Sequence, residues 1–151
     1  MVETNDRRLP VGIQSFEKIR KEGYLYVDKT DIIWQLANRN KTYHYLSRPR
    51  RFGKSVLVDT LEAYFLGKKE LFEGLKIMQL ETEWVKRPVI RLDMSRAGAE
   101  PETLRSYLDI TFDRLEEEYG IIPKPTARLA DRFNAIIVGA YEQTGQQVAI
   151  L

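Results

Sequence analysis

Gly53, Lys54 and Ser55 are the residues whose types and order most clearly suggest chemistry. In the pattern G-x-x-x-x-G-K-[ST] such a tripeptide closes a phosphate-binding loop that sits between a strand and a helix. The eight positions here are Arg48, Pro49, Arg50, Arg51, Phe52, Gly53, Lys54 and Ser55; the last three match, and Arg48 replaces the first glycine. In such a loop successive backbone N–H groups curl around a β-phosphate, helped by the positive end of the helix that begins there. Gly53 lets the backbone approach without a Cβ in the way. Lys54 bridges β- and γ-phosphate oxygens as a mobile charge, and Ser55 places its hydroxyl on Mg²⁺. Pro49 stiffens the loop by fixing φ. Arg50 and Arg51 add positive charge that faces either the phosphates or solvent. The expected nucleotide-binding residues are Arg48, Pro49, Arg50, Arg51, Phe52, Gly53, Lys54, Ser55 and Val56, with Lys54 catalytic and Ser55 on the metal. The missing first glycine requires the turn entering the loop to be built without a flexible residue.

Positioning this loop takes a strand before it and a helix after it. Thr42 to Leu46, rich in β-branched and aromatic residues, predicts the strand. Lys54 to Phe65 predicts the helix, with Leu57, Leu61, Tyr64 and Phe65 at helical spacing. Upstream, Asp28 to Asn38 predicts a short helix capped by Asp28 or Thr30, with Ile32, Ile33, Leu36 and Ala37 on its apolar face. Gly67 to Gly74 reads as a polar connection around Leu71 and Phe72. Pro88 introduces an expected strand, Val89 to Met94. Pro101 to Tyr119 predicts a long helix, with proline in its first turn, Gly120 as the stop, and a face of Leu104, Leu108, Thr111, Phe112, Leu115 and Tyr119. A further helix is expected from Ala127 to Tyr141 on Leu129, Phe133, Ile136, Ile137 and Ala140. The sequence closes on the apolar run Val148 to Leu151. Strands alternating with helices predict an α/β sandwich with a parallel sheet.

Composition narrows the alternatives. A chain of 151 residues suits one compact domain. Its 43% hydrophobic and 30% charged residues are ordinary for a soluble globular protein. No apolar run approaches the roughly 20 residues that span a bilayer. The absence of cysteine excludes disulfides and makes a cytoplasmic setting the default, and a single histidine argues against structural zinc. A net charge of +2 does not by itself imply a nucleic-acid partner, although Arg48, Arg50, Arg51 and Lys54 concentrate charge locally.

Other residues have a bland reading beside the chemical one. Asp93 ends an apolar strand, so it could meet Mg²⁺ or its waters, or cap the segment that follows. His44 reads as a core or cross-strand histidine, because no third group completes a set with it and Ser47. Asp28, Lys29 and Thr30 are either a helix cap or a motif near the nucleotide base. Tyr24 and Tyr26 fit core positions better than adenine platforms. Glu116, Glu117 and Glu118 read as a solvated helix face, and Lys68 and Lys69 as loop solubility.

Several of these segments together resemble the AAA-ATPase-like family of predicted bacterial P-loop ATPases. The resemblance rests on Phe16 to Arg20, Tyr24 to Thr30, Arg48 to Ser55, Leu71 to Leu75, and Pro88 to Ile90 leading to Leu92 and Asp93. An arginine in place of the first loop glycine is usual in that family. The resemblance implies an ATP-binding domain using Mg²⁺, often joined to a C-terminal restriction-endonuclease-like nuclease domain. It implies a P-loop NTPase three-layer sandwich, with residues 1–40 as an N-terminal extension and helix and 41–151 as the start of the core. Val148 to Leu151 resembles the Walker B strand, stopped before its acidic pair, so the chain is expected to be the N-terminal part of a longer protein. In that arrangement Val148 to Leu151 pairs with Thr42 to Leu46, and Val89 to Asp93 lies on the far side. The expected function is ATP binding with hydrolysis dependent on residues beyond Leu151. The alternative is a nucleotide-dependent regulatory or nucleic-acid-binding module with little turnover of its own. An unpaired apolar sheet edge adds the expectation of self-association, and no membrane partner is expected.

Overall fold

The computed structural model describes residues 8–39, 43–47, 49, 52–98, 100–125 and 127–151. These residues group into two compact units that divide between Val85 and Lys86.

The first unit is built around a short helix that hydrophobic periodicity does not announce, α1 (Phe16–Lys21). Six residues make a marginal helix, and its stability comes from its ends and its buried face. Ser15 Oγ accepts the Lys18 N–H, and the Asp59 carboxylate accepts the Phe16 N–H at 2.6 Å. Glu17 pairs with Lys21 at 2.5 Å and with Lys68 at 2.9 Å. Hydrogen bonds from Lys21 and then Lys68 hold the Glu17 carboxyl down to about 2. Arg20 donates to the carbonyls of Leu71 (2.8 Å) and Glu73 (2.6 Å).

The second helix, α2 (Thr30–Asn38), starts two residues later than the sequence suggests, because Asp28 stands outside it as a cap. Asp28 Oδ1 accepts from the Thr30 amide and hydroxyl, and Oδ2 accepts from the Lys76 amide at 2.8 Å. The Gly67 to Gly74 stretch is not simply a polar connection. It contains a 3₁₀ turn, Lys69–Phe72, and is followed by a second, Lys76–Gln79. Leu71, Phe72 and Ile77 from these turns enter the core with Phe16, Ile33, Ala63, Tyr64 and Leu75. Phe16 and Phe72 are fully buried with ring centroids 5.0 Å apart. Short spacing hid these residues, since a 3₁₀ turn of four residues carries no readable period.

The third helix, α3 (Lys54–Phe65), spans the residues its periodicity predicts. The expected strand before it is corrected. Among the described residues, Tyr43 to Leu46 form no strand, with Tyr43 91% and Tyr45 94% exposed. Strand propensity reflects packing against ladder neighbours, and the described sheet has two strands, neither of them here. His44 is likewise exposed rather than a core histidine.

The second unit holds that sheet. Its strands are β1 (Val89–Ile90) and β2 (Ala149–Ile150), parallel, with Val89 opposite Ala149 and Ile90 opposite Ile150. A Leu92 N–H to Leu151 C=O bond of 2.8 Å extends the pairing. Thus Val89 to Asp93 and Val148 to Leu151 are neighbours, as the resemblance implies. The described residues are a mixed α/β chain, helix-rich with this small parallel sheet. Two long helices cover it, α4 (Pro101–Glu118) and α5 (Leu129–Thr144). Tyr119 caps α4 and Gly120 turns the chain at φ +60°, as expected of a stop glycine. Ile90, Phe112, Leu115 and Ile136 form the buried centre, with Leu108, Leu129, Phe133 and Ile137 packed against it. No helix among the described residues is long and apolar enough to cross a membrane.

Glu116 corrects the solvated-face reading. Its side chain is 5% exposed and binds Arg132 of α5 through both oxygens, at 2.8 and 2.7 Å. Asp109 (2.9 Å) and Asp113 (2.6 Å) also accept from Arg132, whose guanidinium lies 5.7 Å from the Phe112 ring centre. An acidic run marks solvent only where no cation on the neighbouring helix faces it.

Removing Arg132 leaves Glu116 buried and unpaired, so Arg132→Ala is expected to cost about 3–5 kcal/mol in urea denaturation. Asp113→Asn, at a carboxylate 72% exposed, is expected to cost less than about 1 kcal/mol. In the first unit acid acts through three carboxyls. Burial pushes the Asp28 and Glu81 carboxyls up, but hydrogen bonds from Thr30 and Lys76, and from Tyr64 and the backbone of residues 82–84, outweigh it. With Glu17, these folded-state values lie below the ordinary 3.8 to 4.5. Their stabilisation is therefore full above that range and lost as pH falls toward about 2. The urea midpoint is expected to drop below about pH 4.5 and to be flat just above it.

Candidate phosphate-binding loop

The candidate site is the N-terminal end of α3. Gly53 occupies the N-cap position with φ +76° and ψ 17°, and the helix runs from Lys54. A Cβ built on Gly53 would meet nothing within 4 Å, so glycine is required here by backbone conformation and not by crowding. The Leu57 amide already bonds to the Gly53 carbonyl at 3.0 Å, which leaves the amides before it outside the helical ladder. Gly53 has no side chain with which to cap that end, and the first turn carries no acidic residue. Lys54 and Ser55 are exposed and Val56 is half-buried. Phe52 is 65% exposed and Pro49 is exposed. Arg48, Arg50 and Arg51 lie outside the described residues.

An uncapped helix start with a left-handed glycine and an adjacent lysine suits an anion with several oxygens. These features fit a nucleotide's phosphates. Ser55 offers a hydroxyl suited to a magnesium ion that such phosphates carry.

The remainder of α3 explains how this end is held. Asp59, which sequence reasoning passed over, ties α3 to the first turn of α1 through the Phe16 amide. Thr60 is fully buried and bonds back to the Val56 carbonyl at 2.7 Å. Tyr26 lies beside it, edge-on to Phe16 at 5.1 Å, and burial raises its phenol pKa against the opposing hydrogen bond with Thr60. Tyr26 is thus a core residue, as expected. At the far end of α3, the Tyr64 hydroxyl donates to Glu81 and accepts from Asn38 Nδ2 at 3.3 Å. The available signal for Asp59 was an acidic residue directly after the apolar run Val56 to Val58.

Asp28 and Thr30 join α2 to the second 3₁₀ turn, where Thr30 Oγ1 also accepts the Ile77 amide at 3.1 Å. Their observed role is a cap that clamps two segments. Asp93 is a cap as well: it accepts from the Ser95 amide and hydroxyl and pairs with Arg96 at 3.3 Å. The Ser95 hydroxyl bond is the main cause holding the Asp93 carboxyl below its ordinary value.

The model of a family described as predicted AAA-ATPase matches residues 10–151. An uncharacterized protein from the vnfD 5′ region of Azotobacter chroococcum mcd 1 is 36% identical over 148 residues, covering 96% of this chain. The chain spans 28% of that relative's length. No solved structure matches the chain.

Gly53→Ala is expected to lower stability by about 1–2 kcal/mol, although the space for a methyl group is open. Gly53→Asn should cost less, because asparagine enters the left-handed region more readily. Denaturation midpoints of the two variants measure this difference.

Proposed function

The chain belongs to the predicted AAA-ATPase family, and from that premise we propose that the loop ending in Gly53, Lys54 and Ser55 binds ATP by its phosphates. The observation that carries this reading is the left-handed Gly53 opening an uncapped α3 at Lys54. Backbone amides at that end hold phosphate oxygens, Lys54 neutralises their charge, and Ser55 supplies a ligand to Mg²⁺. The bound magnesium would add charge neutralisation on the same oxygens. Arg48, Arg50 and Arg51 complete the loop's positive character by sequence.

The full P-loop sandwich belongs to the same reading. In it hydrolysis uses acidic side chains that follow β2 in a longer polypeptide. The relative's greater length is consistent with this. A parallel β1–β2 pair, with β2 directly after α5, supports the strand order. The same reading places the whole protein in the cytoplasm, with a nuclease-like domain or a nucleic-acid partner beside this one.

Lys54→Ala tests the proposal by calorimetry. Lys54 is exposed, so the variant should fold. ATP affinity is expected to fall on the order of 100-fold, the loss of a charge-assisted contact to phosphate. An unchanged affinity would refute phosphate binding at this loop.

A further inference from the structure

Trp84 carries two unfavourable features at once. Among the described residues it is the non-glycine residue in the left-handed region, at φ +47°. Its indole N–H is also buried with no hydrogen-bond partner. Left-handed backbone is costly for a bulky aromatic residue, and so is a buried donor without an acceptor. Residues held this way persist only where their surroundings over-determine them, and they concentrate at switch regions.

The restraints on Trp84 are identifiable. Its ring packs against Phe72 at 5.1 Å and edge-on to Tyr64 at 5.8 Å. The preceding turn is closed by Glu81, whose carboxylate accepts from the Glu83 amide at 3.0 Å, from the backbone of Thr82 and of Trp84 itself, and from the Tyr64 hydroxyl. Glu81 is only partly buried, and residues 82, 83 and 85 are exposed. Tyr64 belongs to α3, so the last turn of the phosphate-loop helix is the anchor for this segment. The chain leaves the first unit immediately afterwards, after Val85.

We propose that Trp84 is a releasable clasp: residues 81–85 open from the first unit as a local event while α3 stays folded. Opening relieves the backbone conformation and hydrates the indole N–H. What it gives up is the ring contact with Phe72 and Tyr64 and the bonds to Glu81. None of the losses touches the Phe16–Phe72 contact or the Asp59 bond to α1, which hold the rest of the unit together. The clasp does not depend on nucleotide binding by the loop.

Hydrogen exchange on the full chain, followed by NMR, tests this. After correction for intrinsic rates, the Trp84 indole N–H should exchange at least about tenfold faster than the amides of Thr60 to Tyr64. The variant E81Q should accelerate Trp84 exchange a further several-fold and leave those α3 amides unchanged. Equal rates for the indole and the α3 amides in the unmodified protein would overturn the proposal. So would E81Q having no effect, or accelerating both sets equally, since residues 81–85 would then open only with the whole unit.

Discussion

The bond from the Phe16 amide to the Asp59 carboxylate is where the first unit is tied together. At 2.6 Å it is charge-assisted, and it satisfies one of the orphan donors at the start of α1. It also fixes the fully buried Phe16 ring against α3, where it meets Phe72 and Tyr26. From there the connections spread outward. Arg20, one turn along α1, holds the carbonyls of Leu71 and Glu73, so the 3₁₀ turn that delivers Phe72 is anchored from the same helix. A six-residue helix could not stand alone. Here it links the N-terminal segment, α3 and the turns that close the core.

This explains what the segments that carry the resemblance do. Phe16 to Arg20, Tyr24 to Thr30 and Leu71 to Leu75 contain little reactive chemistry, yet they meet one another. Arg20 meets Leu71; Asp28 meets the Lys76 amide just beyond the last segment; Tyr26 meets Phe16. Their common product is a firm seat for α3. The loop itself contributes an exposed lysine, a serine and a glycine whose backbone no other residue adopts without strain. Proposed chemistry is confined to one end of one helix, and most of the recognisable sequence supports that helix.

Legibility followed length and period. The limits of α3 were readable because Leu57, Leu61, Tyr64 and Phe65 keep helical spacing and Gly53 precedes them. The long helices α4 and α5 were readable for the same reason, to within a few residues at their ends. Short elements were not, because α1 and the 3₁₀ turns are held by tertiary bonds that leave no local pattern. The strand expected at Thr42 to Leu46 is not formed by its described residues, 43–46, because β-propensity needs a ladder partner to become a strand. Glu116 was misread because its charge partner, Arg132, lies sixteen positions away on another helix. At the site, the sequence named Gly53, Lys54 and Ser55 but not Asp59, whose role depends on where α1 lands. The three loop arginines are outside the described residues, and their part rests on sequence.

Amide chemical shifts test the central claim most directly, because the proposed contacts are made by backbone N–H groups. On titrating the chain with ATP and Mg²⁺, the largest changes are expected at the amides of Gly53, Lys54, Ser55 and Val56, and inorganic tripolyphosphate should move the same four. Saturable changes elsewhere, with these amides unmoved, would contradict a phosphate site at the start of α3.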